Sequence, residues 1–143
     1  MQPSFEPDEL KRLVELAYLG EWMINAHHDN DFQDEAATSV TQKLMAATGL
    51  PGIERDIETG EYYLNETWAD HLYDHYILDY DDHVFWDELT ERLAQRDLAR
   101  RRGLPMEQIN REDDLLELRP LEEHYRHELE EHGLDRLDVP EDF

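Results

Sequence analysis

Residues 65–103 read NETWADHLYDHYILDYDDHVFWDELTERLAQRDLARRRG, and two helical patterns follow one another in them. Asn65 or Thr67 can cap a helix that runs to about Tyr80. Asp81 is then predicted to cap the next helix, which the glycine at the end of the stretch terminates. The apolar positions at helical spacing are Trp68, Leu72, Tyr73, Tyr76 and Ile77 in the first of these helices, and Phe85, Trp86, Leu89, Leu93 and Leu98 in the second.

Two more helices are predicted upstream. The first begins near Pro7, whose fixed backbone angle suits a first helical position, and ends near His27. The second is predicted to end at Gly49, because glycine favours the left-handed backbone that follows a helix. Its apolar residues form a stripe at i, i+4 spacing and are Phe32, Ala36, Val40, Leu44 and Ala47.

The rest of the chain adds one short β element and one helix. Alternating apolar residues on both sides of Gly60 predict a β-hairpin near residues 53–64. A fifth helix is predicted from about Pro120 to His132. We therefore expect a mainly α fold, a helical bundle of about five helices with one short hairpin. A single helical domain should cover residues 1–133, followed by an acidic C-terminal tail over 134–143.

The charge of the chain narrows the classes of function. Its 143 residues include 37 Asp and Glu against 13 Lys and Arg, for a formal net charge of -24, and no cysteine. A field of this sign repels phosphate backbones and anionic membrane surfaces, so direct binding of nucleic acid or membrane is not expected. The absence of cysteine excludes thiolate catalysis and thiolate metal sites. No apolar run long enough for a membrane span and no secretory signal is found, which predicts a cytoplasmic protein.

The most informative pattern is a row of carboxylates in the third predicted helix. Glu66, Asp70 and Asp74 follow one another at steps of four, which places like charges on one side of a helix at mildly unfavourable spacing. An external positive surface would explain why the row has no basic neighbour. Tyrosine rings and carboxylates both attract guanidinium groups. We therefore predict a contact surface for a basic protein partner, made of Glu66, Asp70, Asp74, Asp81 and Asp82 with flanking Tyr73, Tyr76 and Tyr80.

A more specific form of this hypothesis is mimicry of nucleic acid. Carboxylates one helical turn apart are separated by about 6 Å, which is close to the spacing of phosphates along a strand. A protein that normally grips such a backbone could be inhibited by this surface. The function predicted from the sequence is therefore that of a non-enzymatic interaction protein without a cofactor, and possible DNA mimicry is one form of it.

Two alternatives of other classes remain open at this point. His71 and His75 at i and i+4, beside Asp70 and Asp74, have the spacing of a metal site, which would suit a metal-dependent hydrolase. No Glu directly follows the first histidine, so the metalloprotease motif is absent. The second alternative is a salt-adapted accessory subunit, in which the acidity serves solubility and no specific acidic site exists.

A basic segment interrupts the acidic chain. Arg92, Arg96 and Arg100 follow one another at steps of four in the fourth predicted helix. Residues 92–111 carry six bases and two acids, whereas residues 51–91 carry 13 acids and one base. A homo-oligomer in which the basic segment of one copy meets the acidic segment of another is therefore a further prediction.

Overall fold

A computed structural model describes residues 3–138 of the chain, and it confirms a mainly α fold with one two-stranded antiparallel hairpin. In chain order the elements are α1 (Pro7–Asn25), a 3-10 turn (Asn30–Phe32), α2 (Glu35–Thr48), β1 (Ile53–Arg55), β2 (Tyr62–Leu64), α3 (Glu66–Leu72), a π turn (Tyr73–Ile77), α4 (Leu78–Arg102), a 3-10 turn (Met106–Gln108) and α5 (Leu115–His132). Within this described range, no helix is long and apolar enough to cross a membrane.

The chain divides into two compact units, the first unit up to Asp79 and the second unit from Tyr80 onward. The boundary falls after the second residue of α4. The expectation of a single helical domain over residues 1–133 stays a prediction.

In the first unit, α1 and α2 pack in antiparallel directions. The Thr41 hydroxyl donates to the Ala17 carbonyl at 3.4 Å, while Asn25 at the end of α1 accepts a 2.7 Å bond from the Asp34 N–H just before α2. Asp34 also caps α2, since its carboxylate accepts from the Ala37 N–H. Gly49 follows α2 in the left-handed conformation, with φ of 57°, as predicted.

The hairpin docks on α2 through one side chain. Ile53 pairs with Leu64 and Arg55 with Tyr62. The Gln42 amide exchanges two 2.7 Å hydrogen bonds with the backbone of Tyr62, which satisfies the outer edge of β2. A lone ribbon of this length is marginal in water, so this docking explains why it forms. The hairpin contributes Leu64 to the core of the first unit, together with Val14, Met45, Trp68 and Leu72.

The junction between α3 and α4 corrects one sequence prediction. The helical run does not stop at Tyr80, and Asp81 lies inside α4 instead of capping a new helix. A π turn carries the chain through, and the Leu78 N–H donates to the Tyr73 carbonyl five residues back. The buried positions Trp68, Leu72 and Ile77 are consequently four and then five residues apart. The wider turn lets the buried side shift without breaking the helix.

The second unit is built from α4 and α5. Their shared core consists of Ala94, Leu98, Ala99, Ile109, Leu118 and Leu121. α5 begins at Leu115, so Pro120 lies inside the helix and not at its start. Two ion pairs fix this earlier start, because Arg102 at the end of α4 contacts Asp114 at 2.8 Å and Glu117 at 2.5 Å. These contacts join distant segments, and local sequence signals do not reveal them.

The predicted acidic tail is described only in part. Residues 134–138 are exposed, and the first three of them belong to the turn that follows α5. Arg136 in this turn contacts Glu128 at 3.3 Å. Residues 139–143 lie outside the described range.

Asp114 gives the second unit a testable pH dependence. Its hydrogen bond to Arg102 holds the pKa of Asp114 below the ordinary value of 3.8, and a bond from the Asn110 N–H acts in the same direction. A carboxyl group with a lowered folded pKa contributes stability that is complete above its unfolded pKa and is lost as the pH falls through the folded pKa.

We therefore expect Asp114→Asn to lower the free energy of unfolding at pH 7 and to flatten the loss of stability below about pH 4. Urea unfolding of both proteins between pH 7 and pH 3 measures the two effects. Asp113→Asn is the matched control, because Asp113 is the exposed neighbouring acid. Equal acid slopes for the wild type and Asp114→Asn would contradict the assignment.

Candidate functional site

The acidic row, defined as Glu66, Asp70 and Asp74, follows the start of α3. The Asn65 side chain caps this helix by accepting a 2.9 Å hydrogen bond from the Trp68 N–H. The cap and the buried Trp68 fix the rotation of α3, so that Glu66 and Asp70 lie one turn apart on the exposed side. Asp74 is also exposed but lies in the π turn, where the α-helical period no longer holds.

The carboxylates of the acidic row are unpaired in the described part of the chain. Within residues 3–138, none of the three forms an ion pair or accepts a side-chain hydrogen bond. Burial first, and then the charges of Glu21 and Asp70, raise the pKa of the neighbouring Tyr18. The row is therefore an open, negatively charged surface of the first unit.

The two predicted tyrosine contacts in the first unit differ in their availability. Tyr73 and Tyr76 are both exposed, at 47% and 41%, so neither is a core residue. The Tyr76 hydroxyl accepts a 3.2 Å hydrogen bond from Arg12, which ties it to α1. Tyr73 has no such bond among the described residues, so it is the freer of the two to meet a partner.

The remaining predicted contacts lie in the second unit. Tyr80, Asp81 and Asp82 are all exposed on the first turns of α4. Asp82 accepts a 3.2 Å hydrogen bond from the indole N–H of Trp86, one turn further on. The role of these three residues in partner binding stays a prediction.

The arginines of the second unit mostly find acids of their own unit. Arg92 contacts Glu88 at 3.1 Å, and Arg96 contacts Asp97 at 3.0 Å and donates to the Tyr125 hydroxyl. Arg100 lies more loosely, 3.9 Å from Asp97. These contacts provide an internal use for the basic row, and the predicted homo-oligomer stays untested.

The two histidines of the metal alternative are paired with each other. Their ring centroids are 4.1 Å apart, and the Nδ1 atom of His75 lies 3.0 Å from the His71 carbonyl oxygen. Across residues 3–138, no group of three or more potential ligands is placed to hold a metal ion. The geometry therefore gives the hydrolase hypothesis no further support.

A cleft of about 730 Å³ lies in the first unit between α1, the start of α3 and the turn before β1. On its wall, Glu15 is buried and accepts a 2.9 Å hydrogen bond from the indole N–H of Trp68. Arg12 closes the network with a 2.8 Å contact to Glu15. The hydrogen bond to Tyr76 and the charge of Glu15 raise the pKa of Arg12. The Lys11 ammonium lies 5.4 Å from the centroid of the Trp68 ring.

The network in the cleft was not found from the sequence, since Trp68 is 53 residues from Glu15. The cleft is lined by two cations, Lys11 and Arg12, and two carboxylates, Asp8 and Glu15. Because these charges cancel, the cleft selects no class of charged ligand. The hydrogen bond between Trp68 and Glu15 on its wall joins α3 to α1.

No protein family model, no curated protein and no solved structure matches this chain. The function is therefore inferred from the geometry of the described residues alone.

Proposed function

We propose that this protein is a non-enzymatic interaction protein of the cytoplasm that binds a basic protein surface through the acidic row and Tyr73. One observation carries the proposal, namely that the three carboxylates of the row are exposed and form no ion pair within residues 3–138. Like charges one helical turn apart repel each other slightly. The dipole of α3 favours Glu66 in its first turn, but no cation of the described chain forms an ion pair with any of the three acids.

The ion pairs of the described chain leave the row open, as they also leave open other exposed acids such as Asp113, Glu123 and Glu130. The arginines that form ion pairs in the described range contact carboxylates outside the row, and they are Arg12, Arg92, Arg96, Arg100, Arg102, Arg111 and Arg136. The chain thus brings cations to several of its acids but none to this row. A row kept open in this way is suited to cations that come from outside.

The chemistry of the row indicates what the partner presents. Carboxylates bind guanidinium and ammonium groups, and arginine can do so through two parallel hydrogen bonds. The exposed ring of Tyr73 offers a face on which a guanidinium can stack. Charges at the rim of an interface mainly speed the encounter and make it sensitive to salt. We therefore expect an arginine-rich partner whose binding weakens as the salt concentration rises.

Mimicry of nucleic acid is the specific form that we favour. Glu66 and Asp70 are one α-helical turn apart, so their side chains are neighbours about 6 Å apart on the helix surface. This separation is similar to the direct distance between successive phosphates of a strand. A partner that grips a phosphate backbone would meet a similar series of negative charges here. The protein would then compete with DNA or RNA for that partner.

Neutralising the row tests the proposal. The triple variant Glu66→Gln, Asp70→Asn and Asp74→Asn should keep the fold, because all three side chains are exposed. We expect it to lose most of the basic proteins that the wild type captures from its native host, since each rim charge contributes up to about 1 kcal/mol. Affinity purification with quantitative mass spectrometry measures the capture, and far-UV circular dichroism checks the fold.

A second triple variant separates the row from the net charge. Asp113→Asn, Glu123→Gln and Glu130→Gln change the charge by the same amount at exposed positions of the second unit, and these acids form no ion pair in the described chain. This control should retain the captured proteins. If both variants lose them equally, the overall charge is responsible, and the assignment to the row is wrong.

A further inference from the structure

The apolar stripe of the second predicted helix is largely exposed in the structure. Of its five residues, only Leu44 is half-buried, while Phe32, Ala36, Val40 and Ala47 face solvent. The stripe has the periodicity of a buried helix face but lacks a cover among the residues that the structure describes. An apolar face of this kind marks a surface for another molecule.

α1 supplies the other side of the same surface. A groove of about 390 Å³ runs between the two helices. Its walls are mainly small or apolar and include Ala17, Gly20, Ile24, Ala36, Ala37 and Val40. At Ile24 and Val40 the exposed fractions are 44% and 61%, and the flanking Leu16 and Met23 are exposed as well. Small residues in the floor and large apolar residues at the rim give the shape that receives a helix.

The apolar groove is lined by two charged residues, Glu21 and Asp34, and both are acidic. The nearest base along α2, Lys43, is not one of the lining residues. An occupant therefore needs an apolar stripe for the groove and cations beside that stripe.

We propose that the apolar groove is a docking site for an amphipathic helix of another protein, with leucine-like anchors on one face and Lys or Arg on its flanks. This inference goes beyond the proposed function, because the groove contains none of the residues of the acidic row. The groove provides apolar burial, whereas the row provides only charge.

A second copy of this chain fits the groove poorly. A symmetric dimer through the groove would bring Glu21 and Asp34 of one copy against the same acids of the other. The basic part of α4 is no better suited, because its apolar residues Leu93 and Leu98 are buried in its own unit. An outside helix is the occupant that satisfies both the apolar floor and the acidic rim.

A pair of synthetic peptides provides the probe. The first is a fluorescent peptide of about 18 leucine and lysine residues, with leucine at i, i+3, i+4 and i+7 so that it forms an amphipathic helix. The second has the same composition with the leucines distributed evenly around the helix. Both carry the same charge, so any attraction to the acidic chain as a whole is common to them. We expect the amphipathic peptide to bind roughly tenfold more tightly in fluorescence anisotropy.

Two variants then locate the binding. Gly20→Gln adds a side chain to the wall of the groove, where a Cβ atom meets nothing within 4 Å, so the fold is retained. Val40→Gln removes an exposed apolar side chain without changing the charge. Each should abolish most of the roughly tenfold preference. Leu116→Gln, at a position that is 85% exposed in the second unit, is the matched control and should keep it.

The possible outcomes decide between occupants. Equal affinity for the two peptides would show that charge alone acts. A preference for the amphipathic peptide that persists in both groove variants would place the binding site elsewhere. Either result overturns the proposal. Light scattering tests the second copy, and a dimer that Val40→Gln dissociates would also overturn it. The proposal is supported if the acidic-row triple variant keeps the preference for the amphipathic peptide and both groove variants lose it. The function of the acidic row is tested separately, by the capture experiment.

Discussion

Replacing Leu72 with Ala should lower the free energy of unfolding of the first unit by roughly 2–5 kcal/mol, because the change leaves a cavity in a packed core. Leu72 is completely buried and packs in the cluster that contains Val14, Met45 and Trp68. It is also the last residue before the π turn, so its packing fixes the part of the helix that carries the acidic row. Urea unfolding followed by far-UV circular dichroism measures the loss.

Two further variants test the cavity explanation. Leu72→Met preserves most of the volume and should cost less than about 1.5 kcal/mol. Leu16→Ala makes the same chemical change at an exposed position of the same unit and should alter stability by no more than about 0.5 kcal/mol. If Leu72→Ala and Leu16→Ala unfold at the same urea concentration, Leu72 is not the core residue that we describe.

The parts of the fold that could be predicted are those whose signals are local. Gly49 ends α2 because its own backbone is left-handed. The hairpin turn is fixed by Asp56, whose carboxylate accepts from the N–H groups of Glu58 and Thr59, and by Gly60 with φ of 76°. These bonds also lower the pKa of Asp56. Such features need only a few consecutive residues, so the sequence reveals them.

The π turn could not be predicted because its cause is not local. An α-helical period from Leu72 places Tyr76 on the buried side, whereas the structure buries Ile77 and exposes Tyr76. Which of the two residues is buried depends on which side chain fits the core. It also depends on the hydrogen bond from Arg12 to the Tyr76 hydroxyl, which joins residues 64 positions apart. The start of α5 was missed for the same reason, because it depends on Arg102.

Spacing at i and i+4 predicts four ion pairs, namely Asp8 with Arg12, Glu88 with Arg92, Asp97 with Arg101, and Glu122 with Arg126. Of these four, the pair between Glu88 and Arg92 forms. The expected pairs Asp8 with Arg12, Asp97 with Arg101, and Glu122 with Arg126 are replaced by contacts of Glu15 with Arg12, Asp97 with Arg96, and Glu122 with Arg111. An exposed helix pair contributes less than about 1 kcal/mol, so a competing contact displaces it easily. Arg12 and Arg96 contact acids of their own helices that also bind Trp68 and Tyr125, whereas Glu122 contacts Arg111 from the segment before α5.

The difference between local and tertiary signals also explains why the acidic row could be predicted from the sequence and the hydrogen-bond network of the cleft could not. The row is visible because no basic residue stands three or four positions from Asp70, and this is a property of consecutive sequence. The burial of Glu15 depends on Trp68 reaching it from another helix. The exposed charges of the row can therefore be predicted from the sequence. The buried carboxylate of Glu15, which orients α3, cannot.

Replacing Glu15 with Ala should therefore destabilise the first unit by more than any single change in the acidic row. The change leaves the buried indole N–H of Trp68 without its acceptor, which costs about 1–3 kcal/mol, and it also removes the partner of Arg12. Glu15→Gln keeps an oxygen that can accept from Trp68 and should retain most of the stability. Glu15→Leu fills the space without an acceptor and should resemble Glu15→Ala.

The hydrogen bond has a signature of its own that separates it from packing. In an NMR exchange experiment, the indole proton of Trp68 should exchange slowly in the wild type and in Glu15→Gln, and much faster in Glu15→Ala and Glu15→Leu. The indole proton of Trp86, which is bonded to the exposed Asp82, serves as the internal reference and should not change. If the Trp68 proton exchanges equally in all four proteins, the Glu15 carboxylate does not hold the indole, and α3 must be oriented by the apolar core alone.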